Sequence, residues 1–312
     1  MGKKDGTEKK KKSLFKRPLF WVVVLIVVAV VAVGAGSGGN DEGDDASTEE
    51  VEFEEIVVVD NDDITITVTD INANGLFGYT IDVTIVNKSE DVTYMVATTD
   101  YCAVDGVQTD PLFASEVAAG KTSYDTIIIY DTDDLEDAGV AFTDILLTFY
   151  AYDSDDWTAD HVIDDVSVHI YPYGEDAATT FVRAAADTDL VLVDNDYVTV
   201  TVVGYDPDYL YGYAVELYIV NKTDGELLVG SDDESVNGIM CDPYWATTVE
   251  AGLSKYSTLY WFSTSLENIG IEDPETEITE IELTLRAYSY SYPYTYYVED
   301  LVVTLYPQDT TE

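Results

Sequence analysis

Positive charge is nearly missing from most of this chain. Eight of the 14 lysines and arginines precede residue 18, along with only two of the 62 acids, which leaves six bases against 60 acids and a net charge of −54 beyond that point. The six are Lys88, Lys121, Arg183, Lys222, Lys255 and Arg286. A field of that sign excludes nucleic acid as a partner of residues 18–312 and favours a soluble, cation-attracting surface. Cysteine is scarce as well: Cys102 and Cys241 are the only two, one in each half. Neither half can close an internal disulfide. A bridge between halves is chemically open outside a cell, but Cys241 falls opposite Thr109, and two buried thiols are the simpler reading. Histidine is limited to His161 and His169. His169 sits on the outward side of a strand where the other half has Thr304. That is little to build nucleophile–base catalysis on, and the chain reads as non-enzymatic.

One stretch has no charge at all: LFWVVVLIVVAVVAVGAG, residues 19–36. About 20 apolar residues cross a bilayer as a helix, and Lys16 and Arg17 can snorkel at its start. Basic residues stay on the cytoplasmic side, so residues 1–18 are expected to be a basic cytoplasmic tail facing anionic lipid. The bulk of the chain is then extracytoplasmic, on a single-pass protein of the cell membrane. Phe20 and Trp21 fall where interfacial aromatics sit. A cleaved signal peptide is the alternative; its apolar region is usually shorter, about 7–15 residues, and an uncleaved signal anchor is preferred. Residues 37–52, SGGNDEGDDASTEEVE, have little to bury and read as an acidic flexible tether.

The remainder says nearly everything twice. VVVDNDDITITV (57–68) returns as VLVDNDYVTVTV (191–202), IVNKS (85–89) as IVNKT (219–223), and VDGVQTDPLF (104–113) as VNGIMCDPYW (236–245). LEDAGV (135–140) returns as LENIGI (266–271), TDILLTFYAY (143–152) as TEIELTLRAY (279–288), and DVSVHIYP (165–172) as DLVVTLYP (300–307). The hydrophobic period is two. Ile64, Ile66 and Val68 alternate with threonines; Tyr79, Ile81, Val83 and Ile85 share a face, as do Tyr213, Val215, Leu217 and Ile219. That is the half-buried strand pattern. Strands separated by Asn, Asp and Gly clusters describe an all-β chain of two tandem immunoglobulin-like β-sandwich domains behind one N-terminal transmembrane helix. The expected limits are 53–173 for the first, 174–187 for a linker, 188–308 for the second and 309–312 for a tail. LEDAGV and LENIGI read as single helical turns stopped by Gly139 and Gly270. Asn87 and Asn221 are expected to end strands and turn the chain, through positive φ and bonds to their own backbone. Both also fit the glycosylation acceptor triplet, but the turn is preferred.

The motifs V-x-V-D-N-D, I-V-N-K-S/T, N/D-G, V-x-A-G and L-x-x-x-G-I/V, followed by an A-Y strand, resemble immunoglobulin-like extracytoplasmic repeats. Such repeats occur on single-pass membrane proteins of Gram-positive bacteria. The resemblance covers roughly residues 55–308. It implies a fold and a location, and no catalytic or cofactor site.

Two candidate sites remain. Acid clusters at strand ends suit a hard cation such as Ca²⁺, and DND recurs in register, which singles out Asp60, Asp62, Asp194 and Asp196. The tyrosine run YSYSYPYTYY supplies Tyr288, Tyr290, Tyr292, Tyr294 and Tyr296, aromatics that could stack on a glycan or dock an extracellular protein. Alternation would put Tyr288, Tyr290 and Tyr292 on one face, with Pro293 breaking the strand into a hairpin; Trp157 is the one aromatic of the matching stretch. The expected function is non-catalytic: a membrane-anchored cell-surface protein presenting two modules for binding or structural roles. The alternative is an accessory or sensory subunit of a membrane complex responding to a cation or wall polymer.

Overall fold

The computed structural model describes residues 53–310 apart from 76, 77, 100, 131 and 157. The basic tail, the run 19–36, the tether and Trp157 therefore lie outside the described residues. No helix among the described residues is long and apolar enough to cross a membrane.

The chain is all-β and sandwich-like. In the first repeat, β1 (Ile56–Asp60), β2 (Ile64–Gly75) and β3 (Gly78–Asn87) are followed by β4 (Tyr94–Thr98), β5 (Cys102–Val104), β6 (Val107–Thr109), β7 (Ala114–Val117), β8 (Thr122–Ile129), β9 (Ile145–Asp153) and β10 (Ile163–Ile170). One sheet has the order β1-β2-β3-β8; facing it, β9 pairs with β4, β5 and β10, and β4 also pairs with β7. The second repeat runs β11 (Leu190–Asp194), β12 (Val198–Tyr209), β13 (Gly212–Asn221), β14 (Leu227–Val236), β15 (Ile239–Met240), β16 (Ala246–Val249), β17 (Ser254–Phe262), β18 (Ile281–Ser289) and β19 (Tyr296–Leu305). Its pairings repeat those of the first: β11-β12-β13-β17 on one side, and β14 with β15, β16 and β18, then β19, on the other. The continuous β14 does the work of β4 and β5 together.

Alternation explains the packing. Ile64, Ile66 and Val68 are fully buried, as are Val198 and Val200, while the threonines between Ile64 and Val68 keep partial contact with water. Each fully buried aliphatic or aromatic side chain of this kind contributes roughly 1.5–3 kcal/mol. The buried residues form two clusters, one drawn from residues 64–170 and centred on Phe149, the other from 198–305 and centred on Trp261. Cys102 and Cys241 are buried thiols in different clusters and form no disulfide. They take opposite strands of the same hairpin: Cys102 pairs with Thr109, and the Cys241 amide bonds the Glu234 carbonyl. That hairpin turns through Asp105-Gly106 in one repeat and Asn237-Gly238 in the other, at φ 49° and 82°, and 51° and 74°, as a two-residue type I′ turn requires. The short helices Thr132–Ala138 and Ser263–Asn268 each stop just before a positive-φ glycine, Gly139 and Gly270.

The repeats are also stitched together. Ser254 pairs with Val107 in parallel, and Gly106 O accepts the Ser254 amide at 3.0 Å. The Gln108 Oε1 accepts the Glu250 amide at 2.8 Å. The expected linker is anchored to both repeats: the Phe181 amide bonds Asp105 O at 2.7 Å, its ring meets Tyr218 edge-on, and Arg183, lying 5.9 Å from the Tyr218 ring centre, pairs with Asp189. Nothing in the composition of 174–187 announced the contacts to Asp105 and Tyr218, because those partners lie more than 30 residues away.

Candidate binding surfaces

The DND loops are joints between strands. Asp60 accepts bonds from the Lys88 ammonium and from Thr65; Asp194 does the same with Lys222 at 2.6 Å and Thr199 at 2.9 Å. Each ammonium also reaches the next carbonyl, Asn61 O or Asn195 O. The central asparagines cap the turn by accepting two amides each: Asp63 and Ile64 on Asn61, Tyr197 and Val198 on Asn195. The lysine hydrogen bond, then the threonine, hold Asp60 and Asp194 below the usual carboxylate range. Thus the K of each NKS/T triplet meets the first D of its own repeat's DND. Asp62 and Asp196 are exposed, and the four aspartates fall in two separate turns, one per repeat. Among the described residues no group of three or more His, Cys, Asp or Glu is placed to hold a metal ion.

The triplet asparagines bond the local backbone as expected, each Oδ1 taking the amide two residues on, but without the expected φ. Neither has positive φ. Each is 1% exposed and spends its amide on distant carbonyls: Asn87 on Val92 and Val117, both 2.8 Å, and Asn221 on Gly225, Val249 and Glu250 at 2.8, 2.8 and 3.0 Å. Their Oδ1 atoms accept the Ser89 and Thr223 amides at 2.9 Å. A buried, fully bonded amide leaves no room for a glycan in the folded chain. The triplets are clamps tying the end of one sheet to the loops of the other.

The tyrosine run is rearranged by the end of its strand. β18 stops at Ser289, and Tyr288 sits across from Tyr296. Tyr288 therefore meets Tyr294 and Tyr296 at 5.5 and 5.2 Å, and Tyr292 joins through Tyr294 at 5.8 Å. The expected face of Tyr288, Tyr290 and Tyr292 does not form, because alternation ends where pairing ends; the backbone of Tyr290 is instead bonded to Glu226. Of the histidines, His169 contacts Asp144 at 2.7 Å and stacks on Tyr171, and His161 packs on Tyr150 and Tyr152.

A second aromatic surface went unpredicted. At the opposite end of β12, β13 and β17, the hairpin brings Tyr209 and Tyr211 to Tyr260, at 5.2 and 5.6 Å. An isolated bridge places Tyr244 beside Tyr260, at 5.4 Å, and Phe262 closes on Tyr260 at 5.3 Å. Tyr244 is 66% exposed, Tyr211 49% and Phe262 42%. In the first repeat the same bridge joins Leu112 and Ile128. One row along the outward side of β13, Glu216 lays its carboxylate against Gly204, where a Cβ would come within 2.6 Å of its Oε2. Desolvation there, then Asp206 and Asp134, push this carboxyl above its ordinary range even though the side chain as a whole reaches solvent. The cluster is assembled from three distant stretches, so no local pattern marks it. The signal available was the contrast between copies at the bridge, Leu112 and Ile128 in one and Tyr244 and Tyr260 in the other.

No family model and no curated protein sequence matches this chain. Among solved structures, the YadV chaperone shows a likeness at 9% identity and a TM-score of 0.24, over 78% of this chain and 99% of that one. A likeness that slight assigns neither fold nor function.

Proposed function

We propose that the chain is a non-catalytic cell-surface protein, held in the membrane by residues 19–36, that presents two immunoglobulin-like modules to an extracytoplasmic partner. The supporting observation is the division of labour between the copies. The internal framework is duplicated, with Asn87 and Asn221 clamping, Lys88 and Lys222 pairing with Asp60 and Asp194, and the Asp-Gly and Asn-Gly turns matched. Among the described residues the exposed ends differ at one bridge: it joins Tyr244 and Tyr260 in the second repeat, and Leu112 and Ile128 in the first. A scaffold kept constant beneath a surface that varies is what presentation requires. The uncharged run behind a basic leader supplies the anchor. The test is membrane fractionation of cells making the chain with and without residues 19–36. The full chain should stay in the pellet after alkaline extraction and the deletion should leave it; a full chain released by alkali contradicts the anchor.

A further inference from the structure

The aromatic end of the second repeat is exposed apolar surface that the fold does not cover. Tyr209, Tyr211, Tyr244, Tyr260 and Phe262 touch one another at 5.2–6.3 Å, and three of them keep two-fifths or more of their surface in water. Ring faces attract cations. The chemistry around the rings has one sign. Asp206 and Asp208 lie in the hairpin that carries Tyr209, Asp242 comes two residues before Tyr244, and Glu216 stands one row along the same sheet face. The cations of the second half are already engaged: Lys222 by Asp194, Lys255 by Asp110, and Arg286 by Asp232 and Asp300, while Arg183 of the connecting segment is held by Asp189. With these four held by their own carboxylates, none of them is free to complement this face.

We propose that this face, built on Tyr211, Tyr244, Tyr260 and Phe262 with Glu216 and Asp206 beside it, docks a lysine- and arginine-rich segment of a partner protein. This rests on the reading of the chain as a presented module and names the chemistry of what it meets. Cationic side chains would lie over the rings while their charges neutralise the carboxylates beside them; Glu216, raised first by desolvation and then by Asp206 and Asp134, stands to gain from such a partner. A neutral glycan could stack on the same rings but would leave those charges as they are.

The test uses the full chain in detergent with three probes: a short fluorescent Lys/Arg/Gly peptide, the same peptide with its lysines acetylated and arginines replaced by glutamine, and a neutral β-linked glucose hexasaccharide. Tyr211→Ala with Tyr244→Ala leaves net charge unchanged and should weaken the cationic peptide about fivefold or more, with Tyr211→Phe plus Tyr244→Phe staying within about twofold of wild type. Tyr290→Ala with Tyr292→Ala, at the other end of the repeat, should change nothing. Should the double alanine variant melt early, Tyr244→Ala alone, at a two-thirds exposed edge position, carries the same comparison. Equal binding by wild type and the ring variants means diffuse attraction to an acidic protein and overturns the proposal, as does equal loss at both ends. Preference for the hexasaccharide over the peptide overturns it as well. The fractionation result bears on the anchor and not on these rings, so either reading can fail while the other stands.

Discussion

Replacing Asn221 with alanine should be among the most damaging single changes in the second repeat. The side chain is 1% exposed. Its amide serves the carbonyls of Gly225, Val249 and Glu250, and its oxygen accepts both the amide and the hydroxyl of Thr223. The Val249 carbonyl loses its side-chain donor in a buried setting, at roughly 1–3 kcal/mol, while the Glu250 carbonyl keeps the Leu253 amide, so its bond and those nearer the surface count for about 0.5–1 kcal/mol each. A total of about 3–5 kcal/mol is expected, a large part of the ~5–15 kcal/mol that holds a domain folded. Asn87→Ala should cost less, about 2–4 kcal/mol, because Asn87 serves two carbonyls where Asn221 serves three. Asn221→Asp sharpens the argument. The shape is kept, but an ionised carboxylate would face carbonyl oxygens, so its folded-state pKa must rise above the unfolded value of about 3.9. A raised pKa makes the penalty negligible below that value and lets it grow as pH climbs through the folded pKa. Urea unfolding followed by tryptophan fluorescence, with Trp245 and Trp261 reporting on this repeat, measures all three. A loss below about 1 kcal/mol for Asn221→Ala, or an aspartate variant equally stable from about pH 4 to pH 8, refutes the clamp.

Gly212→Ala and Gly78→Ala should both be strongly destabilising, by about 2–4 kcal/mol in the same assay, because a Cβ would sit 2.2 Å from Trp261 O and 2.3 Å from Ile129 O, at φ 152° and 122°; near-wild-type midpoints would mean the β3–β8 and β13–β17 ladders are not so close. Glu216→Gln should raise the thermal midpoint at about pH 8 and leave it unchanged near pH 3, since a carboxyl whose folded pKa is raised opposes folding only once ionised. Asp60 and Asp194 carry the opposite sign: their depressed folded values mean that Lys88 and Lys222 stabilise above the unfolded pKa of about 3.9 and lose that effect as pH falls through the folded value. Lys88→Met with Lys222→Met should therefore flatten the acid limb of the stability profile, and added salt should erase much of the difference at neutral pH.

What could be read from the sequence was whatever repeats locally. Alternation located β2, β3, β9 and their counterparts because side-chain direction in a strand has period two, and Ile64, Ile66, Val68, Val198 and Val200 are buried as that pattern implies. Gly139 and Gly270 ended the short helices as placed. Long-range partners were hidden. Asn87 could be matched to Asn221 but not to Val117, 30 residues on; its bond to the Ser89 amide was legible and its amide clamp was not. The lysine that pairs with DND lies 28 residues away, so no local pattern showed it. The rings at Tyr209, Tyr244 and Tyr260 are joined by a hairpin and a single bridge that no local period announces. Strand alternation, carried past Ser289, misplaced Tyr290 and Tyr292.

The most direct measurement is chemical labelling from outside intact cells. Val302 is 63% exposed on β19, and the native Cys102 and Cys241 are buried and should stay silent. A full chain carrying Val302→Cys should react with a membrane-impermeant maleimide on unbroken cells as completely as after lysis, with the unsubstituted chain unlabelled. Labelling that appears only once the cells are opened would place both modules inside and contradict presentation at the surface.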